Sequence, residues 1–256
     1  MRKIVLANQK GGVAKTTTAV NLAFGLAMQG KRVLLIDMDP QSNASFATIG
    51  VQELKKSTYD LLINDASVKD VVVETKHKNL HLIPSHINLA GAEVELANAV
   101  GGQHILRTKL AEHFETHGAD SYQYVIIDAP PSLGFLTINS LAAAEEIIIP
   151  VSASVFALNG ITMLDTTINK VRRRLNNPNL RISGVLCTMY EDTNIAKDVV
   201  AQLRSRFGDV VFKNVIRKNV KVEEAHSRAE SIFTYASDST GAISYTALVQ
   251  EVLDRE

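Results

Sequence analysis

The sequence predicts an α/β fold, with a doubly wound, mostly parallel central sheet flanked by helices. Apolar runs of strand length alternate with longer helical segments along the 256 residues, which is the pattern of repeated βαβ units. The runs are apolar without alternation, as in parallel strands that are covered on both faces. Length and an apolar share of 46% suit one domain over residues 1–256.

Hydrophobic periodicity and the polar segments between the runs assign the elements. The predicted strands are 4–7, 32–37, 80–84, 124–128, 147–151, 182–189 and a short strand at 210–216. The predicted helices are 19–27, 54–63, 90–99, 103–117, 135–144, 161–175, 195–207 and 242–253. Sheets of this kind bind ligands outside the carboxyl ends of their strands, so we expect a site there.

A glycine-bearing loop lies between the first strand and the first helix and reads NQKGGVAKTT from Asn8 to Thr17. In such a loop the backbone N–H groups turn inward, and the helix N-terminus adds unpaired donors and a positive dipole end. Lys15 would supply a charge for the terminal phosphates, and the Thr16 hydroxyl would ligate Mg²⁺. The loop predicts a nucleotide site and a fold of the P-loop NTPase kind.

The loop departs from the strict phosphate-loop pattern, which is G-x-x-x-x-G-K-[ST]. When the pattern is aligned on Lys15, its two glycine positions hold Gln9 and Ala14. A methyl group therefore stands at Ala14, next to the phosphates. If this position requires a positive φ, alanine costs about 1 kcal/mol or more there. We expect nucleotide binding to survive this replacement.

Three aspartates at or just after the ends of predicted strands are candidates for holding the cation or positioning the attacking water. Asp128 closes the strand 124–128, which is the Walker B pattern, and would hold Mg²⁺ through a water molecule. Asp37 and Asp39 stand two residues apart, so in extended chain they point to the same side. One can orient the metal shell while the other positions the attacking water. Thr16, Asp37 and Asp128 are the predicted metal residues.

The formal net charge is zero, but the charges are unevenly distributed. Residues 166–221 contain twelve Lys and Arg against four Asp and Glu, which leaves fifteen against twenty-three for the rest of the chain. A basic segment of this kind can be a footprint for a phosphate backbone. Ordinary solvated helix faces are the alternative interpretation.

Composition disfavours several classes of protein. No apolar run is long enough to span a bilayer, and no signal peptide precedes the first strand. The single cysteine, Cys187, sits in an apolar segment and is expected to be buried. We therefore expect a cytosolic protein with no membrane partner and no iron–sulfur cluster, which would need further cysteines.

Several motifs resemble those of the ParA/MinD superfamily of ATPases. Lys10 to Thr17 matches its deviant Walker A motif, K-G-G-x-x-K-T-T, and Asp37 to Gln41 matches its D-x-D-P-Q motif. The chain is similar along nearly its whole length to the Soj/ParA branch, the chromosome and plasmid partition ATPases. The other matching segments are 127–134, 184–189, 219–225 and 241–245.

The resemblance implies a role for each matching residue. The catalytic residues would be Lys10, Lys15 and Asp39, with Asp39 positioning the attacking water. The nucleotide-binding residues would be Lys10, Gly11, Gly12, Val13, Ala14, Lys15, Thr16, Thr17 and, near the adenine, Arg217 and Asn219. Lys10 would reach across a dimer interface to the nucleotide of a second copy, where it would act as an arginine finger does in other NTPases.

The resemblance also implies a cycle. ATP and Mg²⁺ would drive formation of a homodimer, and the dimer would bind double-stranded DNA without sequence preference. A ParB-type centromere-binding protein would then stimulate hydrolysis and release. The protein would be cytoplasmic, and associated with the nucleoid when ATP is bound.

The DNA contacts that the resemblance implies are only partly present. Lys218 and Lys221 keep the charge of two arginines of the branch, and Lys221 corresponds to a residue linked to DNA binding. An arginine that the branch often has near Thr193 is absent, because the chain reads Glu191-Asp192 there. Lys197 and Arg204 are the candidate substitutes.

Two other functions stay open at this point. An ATP-gated positioning or adaptor ATPase of the same superfamily, without DNA binding, is the alternative. A metabolic P-loop enzyme, such as a cobyrinic-acid-type amidase, shares the loop and the fold, but Lys10 and the D-x-D-P-Q motif argue against it. A membrane-targeted relative would carry a basic amphipathic C-terminal helix, whereas residues 248–256 are acidic.

Overall fold

The computed structural model describes residues 1–118, 121–154 and 159–255. The strands are β1 (Arg2–Leu6), β2 (Val33–Asp37), β3 (Val73–Glu74), β4 (Leu80–Ile83), β5 (Tyr124–Asp128), β6 (Glu146–Ser152) and β7 (Arg181–Thr188). The helices are α1 (Lys15–Met28), α2 (Asn43–Ile49), α3 (Thr58–Leu62), α4 (Val68–Val71), α5 (Leu89–Asn98), α6 (Ile105–His117), α7 (Phe135–Ala143), α8 (Asn159–Arg174), α9 (Asn194–Phe207), α10 (Val220–Ser227), α11 (Ile232–Tyr235) and α12 (Thr240–Asp254).

Within the described residues the strands form one sheet in the order β3-β4-β2-β5-β1-β6-β7. All of these pairs are parallel except β3 with β4, which is antiparallel. From β1 the chain adds strands on one side of the sheet (β2 to β4) and later on the other side (β6 and β7). The predicted doubly wound, mostly parallel sheet is therefore confirmed.

Helices cover both faces of the sheet and produce two hydrophobic cores. Along β5, Val125 and Ile127 belong to the core beneath α5, α6 and α7, whereas Tyr124 and Ile126 belong to the core beneath α1 and α12. Every residue of β5 is buried, which explains why the strand is a continuous apolar run. In the part of the chain that the structure describes, no helix is both long and apolar enough to cross a membrane.

The predicted helix at 54–63 is wrong in its first turn, because α3 begins only at Thr58. Ser57 and Asp60 form a capping box there: the Ser57 hydroxyl accepts from a helix N–H, and the Asp60 carboxylate accepts from Ser57 N (2.8 Å). Helix α2 forms at Asn43–Ile49, a segment for which the sequence predicts no helix.

The predicted strand at 210–216 is also wrong. Among the described residues, two isolated bridges, at Val211 and at Arg217, connect this part of the chain to β7 and the residue Tyr190 beyond it. Phe212 N donates to the carbonyl of Val185 (2.9 Å) and Ile216 N to that of Cys187 (2.8 Å), but no continuous ladder forms. Between these hydrogen bonds, the Glu251 carboxylate of α12 accepts from the N–H of Lys213 (2.8 Å) and Asn214 (3.2 Å). The Arg255 guanidinium donates to the carbonyls of residues 210 and 211.

Candidate nucleotide site

The predicted loop and acids meet at the carboxyl edge of the sheet. Asp37 and Asp128 are directly opposite each other at the ends of β2 and β5, and Leu6, the last residue of β1, is opposite Asp128. The glycine-bearing loop therefore leaves the sheet next to both acids. This is the convergence that the alternating pattern predicted.

The loop ends in a strained residue. Ala14, the residue before α1, has φ 58° and ψ 34°, which is the left-handed region. Gly12 also has a positive φ, 67°. A Cβ atom placed on Gly11 or Gly12 would meet nothing within 4 Å. The loop thus leaves open space over the N-terminus of α1, where the first turn carries no acidic residue and its N–H groups favour an anion.

Two side chains that the sequence analysis missed fasten this loop to the neighbouring strands. Asn8 donates its amide to the carbonyl of Pro150 on β6 (2.7 Å) and accepts from Lys10 N (3.0 Å). Thr188, the last residue of β7, donates its hydroxyl to the carbonyl of Val13 (3.0 Å). The loop is therefore held in shape by the edge of the sheet. Asn8 lies inside the loop, but nothing in the sequence marks Thr188.

Lys15 is buried at the start of α1, in the field of two carboxylates. Burial lowers the pKa of Lys15, and the charges of Asp128 and Asp39 oppose this effect. A lysine in this position is preorganised to meet phosphate charge without reaching out of the protein.

Asp128 is fully buried, and among the residues described neither of its carboxylate oxygens accepts a hydrogen bond. Burial raises the pKa of Asp128 well above its usual range and Asp37 adds to this, whereas Thr16 and Lys15 act in the opposite direction. A buried carboxylate without a partner is costly. A hydrated Mg²⁺ beside it would supply both charge and donors, so the residues present fit this cation.

The described residues contain no group of three or more His, Cys, Asp or Glu side chains that could hold a metal by itself. Mg²⁺ usually needs none, because it keeps several waters and binds one or two carboxylates together with the phosphates of a nucleotide.

Asp37 has different surroundings. One carboxylate oxygen accepts from Asp39 N (3.0 Å), and the other accepts from Ser45 N (2.8 Å) and the Ser45 hydroxyl (2.7 Å). Burial raises the pKa of Asp37 to about 6, while these bonds lower it. The side chain therefore holds the segment from Asp39 to Ser45. Its predicted part in the metal shell stays a prediction.

Asp39 lies nearly buried at the beginning of that segment. Its carboxylate accepts from Gln41 N (3.0 Å), and its carbonyl accepts from the Ser85 hydroxyl (2.7 Å). The N–H of Ser85 in turn donates to the Ser45 hydroxyl (2.8 Å). Ser45 and Ser85 thus place Asp39, and no motif in the sequence marks either serine.

Arg217 and Asn219 line a small pocket together with Ala14, Thr17 and Tyr245, so the structure brings them next to the loop. The Asn219 side chain caps α10 by accepting from Lys221 N (2.8 Å) and donates to the Thr240 hydroxyl (2.7 Å). The Arg217 guanidinium lies over the Tyr190 ring, 5.7 Å from its centroid. Contact of either residue with an adenine stays a prediction.

Lys10 lies at the edge of this site. Its ammonium group donates to the hydroxyl of Ser154 (2.9 Å), two residues beyond the end of β6. The Ser152 and Ser154 hydroxyls are hydrogen-bonded to each other (3.1 Å). Lys10 is therefore held by the protein's own chain, and its action on the nucleotide of a second copy stays a prediction.

The four predicted DNA-binding residues are not free cations. Lys218 pairs with Glu191 (3.4 Å), Lys197 with Asp192 (2.9 Å) and Lys221 with Glu224 (2.8 Å), all at exposed positions. Arg204 donates to the carbonyl of Lys213 (3.5 Å). Lys197 and Lys218 thus flank one turn at 191–192, whereas Arg204 lies about 10 Å further along α9.

Known proteins are similar to this chain in sequence. A family model described as an AAA domain matches residues 1–182. The chromosome-partitioning ATPase Soj of Thermus thermophilus is 46% identical over 256 residues, which cover 100% of this chain and 96% of Soj. The chromosome partitioning protein ParA of Caulobacter vibrioides is 43% identical over 258 residues, which cover 100% of this chain and 95% of ParA.

A solved structure of another protein shares the fold of this chain. The structure of cobyrinic acid a,c-diamide synthase from Mycobacterium smegmatis with bound ATP analog and magnesium has a TM-score of 0.83 and 34% identity. The match covers 99% of this chain and 94% of that one.

Fold and site together define a P-loop ATPase, an enzyme that hydrolyses ATP with Mg²⁺. The chain belongs to the ParA/Soj family of partition ATPases.

Proposed function

We propose that this protein is a DNA partition ATPase whose nucleotide state sets its assembly. ATP joins two copies, the dimer binds double-stranded DNA without sequence preference, and hydrolysis stimulated by a ParB-type centromere-binding protein releases it. The protein is cytoplasmic and lies on the nucleoid while ATP is bound. Relatives at 43% and 46% identity that are named for chromosome partition support this proposal.

The observation that carries the proposal is the position of Lys10. Lys15 already serves the cradle at the start of α1, whereas Lys10 is attached to Ser154 at the margin of the site. With Lys15 at the phosphates, a second lysine at this margin can serve the nucleotide of another copy. In a dimer it neutralises charge on the phosphoryl group of the partner's nucleotide, as an arginine finger does.

The remaining residues divide the chemistry. Lys15 and the backbone of 10–17 hold the phosphates, and Thr16, Asp37 and Asp128 would hold the cation or its waters. When bound, Mg²⁺ would neutralise negative charge on the phosphates. Asp39 orients the attacking water, and its own position is set by Asp37 and Ser85. Arg217 and Asn219 receive the adenine.

The first test is the oligomeric state. Light scattering after size exclusion is measured for the wild type and for Asp39→Ala, without nucleotide, with ADP and with ATP. We expect monomers in the first two conditions and dimers with ATP, most persistently in the variant that cannot position water. A monomer in all conditions for both proteins contradicts the proposal.

The second test is DNA retention. Retention on a duplex of arbitrary sequence should require ATP and should fall steeply with salt, because each neutralised phosphate releases counterions. Addition of a ParB-type partner should raise ATP turnover and shorten retention.

The pairing of the candidate DNA lysines with acids favours a second function, an ATP-gated positioning or adaptor ATPase that does not bind DNA. An ATP-bound dimer that leaves DNA untouched even at low salt is the result that distinguishes this function. A turnover that depends on a small-molecule acceptor would instead indicate a metabolic enzyme, as the name of the Mycobacterium smegmatis synthase describes.

A further inference from the structure

A carboxylate from another helix caps the N-terminus of α7. Glu93, on α5, accepts hydrogen bonds from the N–H groups of Phe135 (2.6 Å) and Leu136 (3.3 Å). The residue before α7 is Gly134, which has no side chain to offer as a cap. A Cβ atom on Gly134 would lie 2.5 Å from both Glu93 oxygens, so the glycine makes room for this contact.

The capped end belongs to the loop that follows Asp128. This loop, residues 129–134, runs from the end of β5 to α7. It contains Pro130 and Pro131, which have no N–H group to donate. Within the loop, the carbonyl of Ser132 accepts from the Thr137 hydroxyl of α7 (2.8 Å). The path of the loop beside Asp128 therefore depends on where α7 begins, and Glu93 fixes that point.

The same stretch of chain also holds the second acidic loop. Ser85 stands just after β4 and eight residues before Glu93, and its hydroxyl donates to the carbonyl of Asp39 (2.7 Å). Residues 85–93 therefore contact the loop of Asp39 at one end and, at the other, the first turn of α7, directly after the loop of Asp128. The two loops that flank the phosphate site are fixed relative to each other through this segment.

We propose that Glu93 is a positioning residue for ATP hydrolysis. Its carboxylate holds the 129–134 loop in register with Asp39, and it touches no reacting atom. A negative charge at a helix N-terminus is favourable, and hydrogen bonds from N–H groups to a carboxylate are strong. The inference rests on the roles assigned to Asp39 and Asp128 in the proposed function.

The test compares Glu93→Gln and Glu93→Ala with the matched control Glu95→Gln. Glu95 lies on the same helix, is exposed and accepts from the Tyr59 hydroxyl (3.0 Å). We expect Glu93→Ala to lower kcat about tenfold or more, since small displacements of reacting groups have effects of that size. Glu93→Gln, which can still accept one N–H, should lose less, and Glu95→Gln should lose nothing.

The affinities for ATP and ADP separate positioning from general damage. They should stay within about twofold of the wild type in both Glu93 variants, because only the turnover step depends on the loop. A fall in kcat that merely follows a fall in the folded fraction, measured by thermal unfolding, overturns the proposal.

A second pair of variants tests the contact itself. Gly134→Ala displaces the Glu93 carboxylate and should lower kcat as Glu93→Ala does, while the double variant should be no worse than Glu93→Ala alone. Additive losses contradict the proposal. Asp128→Asn is measured alongside: normal turnover there means that the site assignment has failed. An inactive Asp128→Asn with fully active Glu93 variants means that the positioning role is wrong.

Discussion

Asp37 and Asp128 stand opposite each other at the ends of adjacent parallel strands, yet only Asp37 has hydrogen-bond partners within the described chain. Asp37 accepts three hydrogen bonds that hold the Asp39 loop. Lys15 and the Thr16 hydroxyl lie near enough to Asp128 to lower its pKa, but neither carboxylate oxygen has a partner at hydrogen-bond distance among the described residues. The two acids are equally buried, but Asp37 also holds the Asp39 loop, whereas both Asp128 oxygens lack a protein partner at hydrogen-bond distance.

Asp128→Asn is expected to lower Mg²⁺-dependent turnover by about 100-fold, the scale for losing one electrostatic group at a transition state. Thermal stability without Mg²⁺ should not fall, because the change removes a buried charge that lacks a partner. Calorimetric titration with ATP, with and without Mg²⁺, measures how much Mg²⁺ increases the affinity for ATP, and this increase should be lost in Asp128→Asn. Asp39→Ala serves as the control and should keep the increase in affinity. A variant that retains the full Mg²⁺ effect contradicts the assignment.

Lys10→Ala should keep nucleotide binding, because Lys15 and the α1 N-terminus remain. ATP-dependent dimerisation or hydrolysis should be lost, since the charge that would act on the partner's phosphates is absent. Sizing and turnover measurements check this. Ser154→Ala is the companion variant: it removes the hydroxyl that accepts from the Lys10 ammonium group but keeps the charge of Lys10, so turnover should stay within about twofold. Normal hydrolysis by Lys10→Ala would rule out the proposed role.

Ala14→Gly should stabilise the protein. The left-handed conformation at Ala14 costs about 1–2 kcal/mol, and part of the gain is offset by the greater freedom of glycine in the unfolded chain, so about 0.5–1 kcal/mol remains. Denaturant unfolding measures it. Ala19→Gly, in the interior of α1, should instead lose about 1 kcal/mol. A loss of stability in Ala14→Gly would contradict the strain seen in the loop.

His226 should make stability depend on pH. Asn21 donates its amide to His226 Nε2 (3.2 Å), so the ring is neutral, and burial lowers the pKa of His226 to about 4. The unfolded chain takes up the proton near its ordinary pKa of about 6.5. Stability from this group is complete above that pH and is lost as pH falls toward 4, by at most about 3 kcal/mol.

Unfolding curves of the wild type and His226→Gln between pH 7 and pH 4 check this expectation. The difference between the two proteins isolates His226, because other groups titrate in both. Parallel curves for the wild type and His226→Gln would show that the buried ring does not couple to folding.

Removing the acids beside the DNA lysines should strengthen DNA binding if DNA is a ligand. Glu191→Gln, Asp192→Asn and Glu224→Gln each release one lysine, and each should tighten retention about fivefold, the effect of about 1 kcal/mol of exposed charge interaction. Folding should be unaffected, since exposed pairs contribute little. Lys221→Gln should weaken retention and reduce its salt dependence. No response to any of these variants favours the adaptor function.

The carboxyl-edge cluster could be predicted from sequence because each member stands at the end of an apolar run. In a parallel sheet the carboxyl ends of the strands lie along one edge. Residues at these ends, here Asp37, Asp128 and the loop before Lys15, are therefore expected to lie close together. Backbone conformation is harder to predict from the sequence. A positive φ at Ala14 could be raised only as a question, since alanine itself gives no sign of it.

The features that the sequence did not predict depend on hydrogen bonds from side chains that are far away in the sequence. Segment 210–216 has the composition of a strand, but Glu251 and Arg255 bind its backbone in place of a ladder. Helix α2 follows Ser42, a residue type that often precedes helices, but Ser42 has φ 56° and its side chain makes no hydrogen bond at the cap. Ser85 and Thr188 act through single hydroxyls, which no pattern singles out.

Cys187 lies in β7 next to Thr188, buried in the core, and burial raises the pKa of its thiol to about 11. Because only the thiolate reacts, the native protein should be inert to thiol-directed reagents at neutral pH. The chain can therefore receive a single engineered cysteine at an exposed position, such as Val94, and be labelled there without first removing its own. Slow modification of Cys187 in the unlabelled protein would in turn report how often β7 opens.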